Sequence, residues 1–158
     1  MDQINLTPIG VIRTPYAEPK DIPIQGIFKG QVEGCAKLKP EFTPGLKDLD
    51  GFSHAILLYH FHRSSKEQLE ARPFLESVDH GIFAIRSPHR PNHIGLSIVK
   101  TKSIQDNKIY FTEVDMLDGT PLLDIKPYSK HFDQREDVIS GWMDKHFIDG
   151  KIPDQTIL

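Results

Sequence analysis

Apolar residues along this chain fall in short runs rather than at helical spacing. Six of these runs, residues 9–12, 32–38, 55–61, 81–85, 94–99 and 109–114, are rich in β-branched and aromatic side chains and bounded by Pro, Gly, Asn and Asp. That is the pattern of antiparallel strands. No long amphipathic segments alternate with them, which counts against a parallel α/β sheet. Two stretches carry helix formers: 66–76, interrupted by Pro73, and 134–145, which would display Val138, Ile139 and Trp142. Both are expected at the periphery. Gln105-Asp106-Asn107 reads as a hairpin turn, so three strands are expected in succession around residues 86–97. With no internal repeat, low-complexity tract or linker, the pattern predicts a mainly β fold, a small single-domain antiparallel barrel with short peripheral helices. Residues 1–130 are expected to form the barrel and 131–158 a C-terminal helix and tail packed on the same domain, the final IDGKIPDQTIL loosely held.

Composition narrows this little. A chain of 158 residues, 38% hydrophobic and 26% charged, is long enough to bury a core without metal or disulfide staples. A formal charge of −3 argues against a dominant electrostatic grip on nucleic acid, although a local basic patch still permits RNA binding. The single cysteine, Cys35, forms no intramolecular disulfide, suits a reducing compartment and reads as a small hydrophobe. No apolar run is long enough to span a bilayer and MDQINLTPIGVIRTPY has no leader pattern, so a cytoplasmic protein without a membrane partner is expected.

Candidate chemistry concentrates in RSPHRPNHIGLS, Arg86 to Ser97. Two prolines restrict their own φ and the residues before them, which makes a donor-rich loop stiff before any ligand arrives. His60 and His62 in HAILLYHFH share one face of a predicted strand, a spacing that barrel metal sites use with further ligands from other strands. A histidine hydrogen-bonded to the barrel explains them as well. In AEPKDIPIQGIF, Gly26 permits close backbone approach while Pro19 and Pro23 lower the entropy of ordering. Asp115 and Asp118 in DMLDGTP suit ribose hydroxyls or an ammonium group, and equally suit a surface turn. Neither a phosphate-binding glycine fingerprint nor a nucleophile elbow is present.

Taken in order, IGVIRTPY, PIQG, LDGFSHAILLYHFH, GIFAIRSPHRPNHIGLS and DMLDGTPLLDIKPY resemble the tRNA methyltransferases of the TsaA-like (TrmO-type) β-barrel class, over roughly residues 5–130. The resemblance implies S-adenosyl-L-methionine as cofactor, a homodimer, and methylation of N6 of the threonylcarbamoyladenosine next to the anticodon of tRNA. Matched by position, it implies cofactor contacts at Ile24, Gln25, Gly26, His62, Arg63, Arg86, Leu96, Asp115, Met116, Leu117 and Asp118. Ile24 and Leu96 would pack apolar parts of the cofactor, backbone groups near Gly26 and Met116 would read the adenine edge, and Arg86 would meet the carboxylate. No metal is implied.

The donor being already activated, the protein's share of such a transfer is alignment and exclusion of water. His62, Arg90, Asn92 and His93 are the candidate catalytic residues; His62, His89 and His93 are chemically able to act as bases near neutral pH, and the alternative for Arg90 and Asn92 is that they brace the loop or face the RNA. One departure stands out: the family usually reads Arg-Pro-Asn-Pro-Ile-Gly, where this chain has His93. Longer family members also carry a C-terminal extension, so RNA contacts are expected from the barrel, its partner subunit, or Arg63, Lys66, Lys126 and Lys130. Trp142 and Phe147 are the expected subunit contacts. Two other readings are a metal-dependent barrel enzyme built on His60 and His62, and a barrel that binds the cofactor without catalysis.

Overall fold

Residues 1–148 are described by a computed structural model. Its strands are β1 (Gly10–Arg13), β2 (Gly34–Leu38), β3 (His54–His60), β4 (Glu70–Ala71), β5 (His80–Gly81), β6 (Ile94–Gln105), β7 (Lys108–Thr112) and β8 (Thr120–Pro127), with one short helix, α1 (Lys130–Asp133). Six of them close a barrel in the order β1-β2-β7-β6-β3-β8, every pairing antiparallel. Period-two alternation turns Ile12, Ala36, Ala55, Leu57, Val99, Ile109, Phe111 and Leu122 inward, all fully buried. Register irregularities in β3–β8 and β6–β7 supply the local twist that closure of so few strands demands. The expected mainly β barrel is the observed fold, and the β6–β7 turn falls at Asp106 as expected.

Three expectations are corrected. Residues 81–85 are not a barrel strand: His80–Gly81 pairs with Glu70–Ala71 in a separate ribbon, and Ile82–Ala84 is a 3-10 turn. Residues 66–76 are not helical. Pro73 removes a helical donor, and the segment's backbone groups are used across the ribbon instead, Gln68 N–H on the His89 carbonyl at 3.0 Å and the Leu69 carbonyl accepting from Ile82 N–H at 2.9 Å. Residues 134–145 form no helix either; α1 ends at Asp133 and a 3-10 turn follows at Gly141–His146. Val138 and Ile139 stay exposed, so a helix there would have had no apolar face to bury. The strand β8 was hidden in sequence by Thr120-Pro121 and by a charged second half.

The expected subunit-contact rings pack within the chain. Trp142 stacks on His80 at 4.9 Å and Phe147 on Phe28 at 6.2 Å. The shielded Glu76 carboxylate holds this segment, accepting from Lys145 at 2.7 Å and His146 at 2.8 Å. These hydrogen bonds, Lys145 first, hold its carboxyl at about 2. The tail expected for IDGKIPDQTIL lies outside the described residues beyond Ile148. No helix among the described residues is long and apolar enough to cross a membrane.

Candidate functional site

Antiparallel pairing sends alternate connections to opposite ends of the barrel. Connections 14–33, 61–93 and 113–119 all leave from one end, so the segments singled out in sequence converge there. Asp115 is the point where they meet. Its Oδ2 accepts from the Gly26 N–H at 3.1 Å, and its Oδ1 accepts from Ser97 Oγ. Ser97 in turn lies 2.9 Å from the Tyr59 hydroxyl. Two connections, 14–33 and 113–119, and two strands, β3 and β6, are thereby tied through one carboxylate, and the Arg86 charge of the 61–93 connection acts on it as well.

Local geometry explains why these residues are needed. Gly95 sits opposite Tyr59 in the β3–β6 register, and a Cβ there would come within 2.2 Å of the Tyr59 ring. Its absence lets the ring lie flat across the strand and reach Ser97. At Gly26 a Cβ would meet the Glu113 carbonyl at 1.9 Å, so only glycine lets the 24–26 loop close on the 113–115 loop.

Burial pushes the Asp115 carboxyl above its ordinary value, against the opposing pull of Ser97, Gly26 and Arg86. Tyr16 is raised by burial and then by the Asp115 charge, and its hydroxyl is buried with no hydrogen-bond partner among the described residues. Tyr59 is raised too, chiefly by burial. His62 moves the other way, lowered by desolvation and then by Arg63 and His60, which favours the neutral imidazole.

Ile24, Gln25, Gly26, Arg86 and Asp115 to Asp118 come together. Arg86 donates to Gln25 Oε1 at 2.9 Å. Asp118 accepts from the Thr14 N–H at 3.1 Å and pairs with Arg13 at 3.5 Å. The Met116 carbonyl accepts from Thr14 Oγ1 at 2.8 Å and the Leu117 carbonyl from Thr120 Oγ1 at 2.7 Å. The Gly26 N–H is spent on Asp115, so it is not free to read an adenine edge, whereas the Met116 oxygen keeps a second lone pair.

Leu96 stands apart. It points outward from β6, 48% exposed, while its neighbour Ser97 points in. His62 and Arg63 lie past the end of β3 and not on it, because the chain turns after Phe61, whose carbonyl accepts from the Ser64 N–H at 3.1 Å. The two histidines therefore do not share a strand face: the His60 ring meets His93 at 6.1 Å, and His62 Nε2 lies beside Gly119. Arg63 donates to the Ala17 carbonyl at 2.9 Å. Arg90 donates to the Ile85 carbonyl at 2.7 Å, bracing its own loop, and Asn92 is exposed at φ 66°. His93 donates from Nδ1 to the Pro88 carbonyl at 2.9 Å, with Nε2 3.9 Å from Glu67. No three His, Cys, Asp or Glu side chains gather as metal ligands among the described residues.

Tyr16, Tyr59 and Ser97 were missed as site residues. Ser97 closes the signature segment, Tyr16 closes IGVIRTPY and Tyr59 sits inside HAILLYHFH, so all three lay within quoted motifs. Their inward direction follows only from the strand register and the loop closure.

Residues 11–134 match the family described as tRNA-methyltransferase O N-terminal domain. A protein of Pyrococcus abyssi, named a probable S-adenosyl-L-methionine-binding protein, is 50% identical over 139 residues, covering 88% of this chain and 76% of that protein. The human tRNA (adenine(37)-N6)-methyltransferase is 32% identical over 146 residues, 87% of this chain but 33% of that protein. The crystal structure of TrmO from Pseudomonas aeruginosa superposes with a TM-score of 0.76 at 34% identity, covering 89% of this chain and 63% of that one. The chain thus spans about a third of its human relative and under two thirds of the bacterial structure. Matched along most of its length in sequence and in fold, this chain belongs to the tRNA-methyltransferase O N-terminal domain family.

Proposed function

We propose that this protein is a cytoplasmic, homodimeric S-adenosyl-L-methionine-dependent methyltransferase acting on N6 of the threonylcarbamoyladenosine beside the anticodon of tRNA. The observation that carries the reading is the convergence of the 14–33, 61–93 and 113–119 connections on Asp115 beside the orphaned Tyr16 hydroxyl. The residues fit the cofactor: a buried hydroxyl in need of a partner, carboxylates at Asp115 and Asp118, a guanidinium at Arg86 and apolar Ile24 suit a ligand that is zwitterionic at one end and aromatic at the other. The relatives named as S-adenosyl-L-methionine-binding or tRNA (adenine(37)-N6)-methyltransferase proteins support the same class.

Arg86 would hold the cofactor's carboxylate, and Asp118 its ribose hydroxyls or ammonium. The bound cofactor supplies an activated methyl group. Asp115 fixes the 24–26 loop against the 113–118 loop, so the binding surface is formed in advance of the ligand. Neutral His62 keeps a lone pair at the open mouth, suited to receive a proton from an acceptor nitrogen. On the outside of the barrel wall, running away from this end, the outer faces of β3 and β6 carry exposed Ile94, Leu96 and Ile98 beside Leu58 and Ile56. That apolar stripe suits a second copy of the chain, which would give outward Leu96 its apolar neighbours.

Calorimetry with S-adenosyl-L-methionine, followed by methyl transfer onto tRNA with and without the threonylcarbamoyl group, tests the reading. Tight cofactor binding and transfer confined to the modified tRNA are expected, and Tyr16→Phe should weaken the cofactor by about threefold to tenfold, the worth of one hydrogen bond. Binding without transfer to any tRNA would sink the enzymatic part and leave a cofactor-binding barrel.

A further inference from the structure

Phe83 is 76% exposed, while Ile82 and Ile85 on either side of it are 1% and 5% exposed. The turn that displays it is closed by one internal hydrogen bond and anchored from outside by three. Ile82 N–H donates to the Leu69 carbonyl at 2.9 Å and Ile85 N–H to the Ile82 carbonyl at 3.3 Å. Trp142 Nε1 donates to the Ala84 carbonyl at 2.9 Å, and Arg90 Nη1 to the Ile85 carbonyl at 2.7 Å. The ring is therefore presented by rigid backbone, not left on a mobile loop. The same Arg90 lies 5.9 Å from the centre of the Phe83 ring, a cation–π arrangement. Three residues on, Arg86 reaches Gln25 in the loop assigned to the cofactor.

We propose that Phe83, backed by Arg90, is a stacking platform for an unpaired base of the RNA loop that carries the acceptor adenine. This rests on the tRNA methyltransferase reading above. An aromatic ring with a guanidinium over one face leaves its other face for π contact with a base and keeps a positive charge close to the neighbouring phosphate. Leu69 and Phe74 are similarly exposed, at 72% and 70%. Among the described residues, only Phe83 of these has a cation set against it. Phe83 and Arg86 lie on one segment, so the platform is joined through the Arg86–Gln25 contact to the loop proposed to hold the cofactor.

The experiment measures fluorescence anisotropy of full-length protein with a labelled anticodon stem-loop RNA and with the stem duplex alone, alongside cofactor affinity and sedimentation. Wild type should prefer the stem-loop. Phe83→Ala should weaken it by about tenfold or more and Phe83→Trp should restore binding to within about twofold, from the usual worth of base–aromatic stacking. Cofactor affinity should not change in either variant, and in turnover the loss should fall on KM for tRNA. Stem-loop binding unaltered by Phe83→Ala would overturn the platform and leave the methyltransferase reading standing. A changed sedimentation coefficient with unaltered RNA affinity would also overturn it, in favour of a subunit contact. Wild type that binds cofactor but neither RNA would bring down the RNA reading and the platform together.

Discussion

At one end of the barrel Leu38, Leu46 and Leu49 close the core, all nearly buried, and the 39–53 connection frames a cavity of about 350 Å3 lined by Phe42, Phe52, Ile125 and their neighbours. At the other end the closing groups are the Asp115 carboxylate with the Ser97 and Tyr59 hydroxyls linked to it, the unpartnered Tyr16 hydroxyl, and the Arg86 guanidinium on Gln25. The apolar end gains free energy from every side chain it buries. The polar end gives some of it back: Asp115 is buried at the expense of its charge, Tyr16 keeps an unsatisfied hydroxyl, and Asn92, His93 and Glu113 hold positive φ. One barrel thus separates a stabilising apolar end from a costly polar end, the one proposed above to bind the cofactor.

Breaking the apolar end should have the largest effect on stability. Leu46→Ala is expected to cost about 2 kcal/mol, the low part of the range because the adjoining cavity already limits its packing. Urea unfolding reads that loss, and cofactor affinity should stay within about twofold. A matching loss of affinity would mean the two ends are coupled.

Asp115→Asn separates the costs at the polar end. Cofactor affinity should fall by about tenfold, since one carboxylate organises both loops. Stability should move the other way with pH. The folded Asp115 carboxyl is raised, so its contribution is present below the unfolded value of about 3.9 and is lost as pH rises through the folded value. Melts at pH 4 and pH 7 should show the variant gaining on wild type at pH 7. A variant that loses stability equally at both would make Asp115 a structural residue.

The smallest effect lies in the segment pinned beside the polar end. Glu76 is held at about 2, so its stabilisation is full above the unfolded value of about 4.3 and disappears as pH falls toward 2. Trp142, the chain's single tryptophan, stacks on His80 next to Glu76 and reports the change. Its emission should shift to the red over that interval in wild type, and Glu76→Gln should show the shifted spectrum already at pH 7 with cofactor affinity unaltered. A spectrum insensitive to both changes would dissociate Glu76 from the docking of this segment.

Much of this architecture was legible because period two is a strong signal. Five barrel strands coincide with apolar runs, and the Gln105-Asp106-Asn107 turn carries the residues such a turn needs. The sixth was concealed because Asp124 and Lys126 interrupt β8 where it leaves the core. The 66–85 segment misled for a different reason. Its helix formers and its apolar run are both overridden by long-range backbone pairing, which no local window contains. Among candidate site residues, motifs found the loops that supply Gly26, Arg86 and Asp115, but Tyr59 and Ser97 join them only through the strand register that links them to that carboxylate, and Tyr16 only through the closure of its loop.

At position 93 the backbone φ is +50°, a value that the pyrrolidine ring of proline cannot adopt. The usual family residue therefore does not fit this loop as it stands, and exchanging His93 for it would require the turn to be rebuilt together with the ring's bond to Pro88. Position 93 is therefore one where a proline, usually a stabilising choice in a loop, is not a safe one: the ring would work against the backbone it was meant to stiffen.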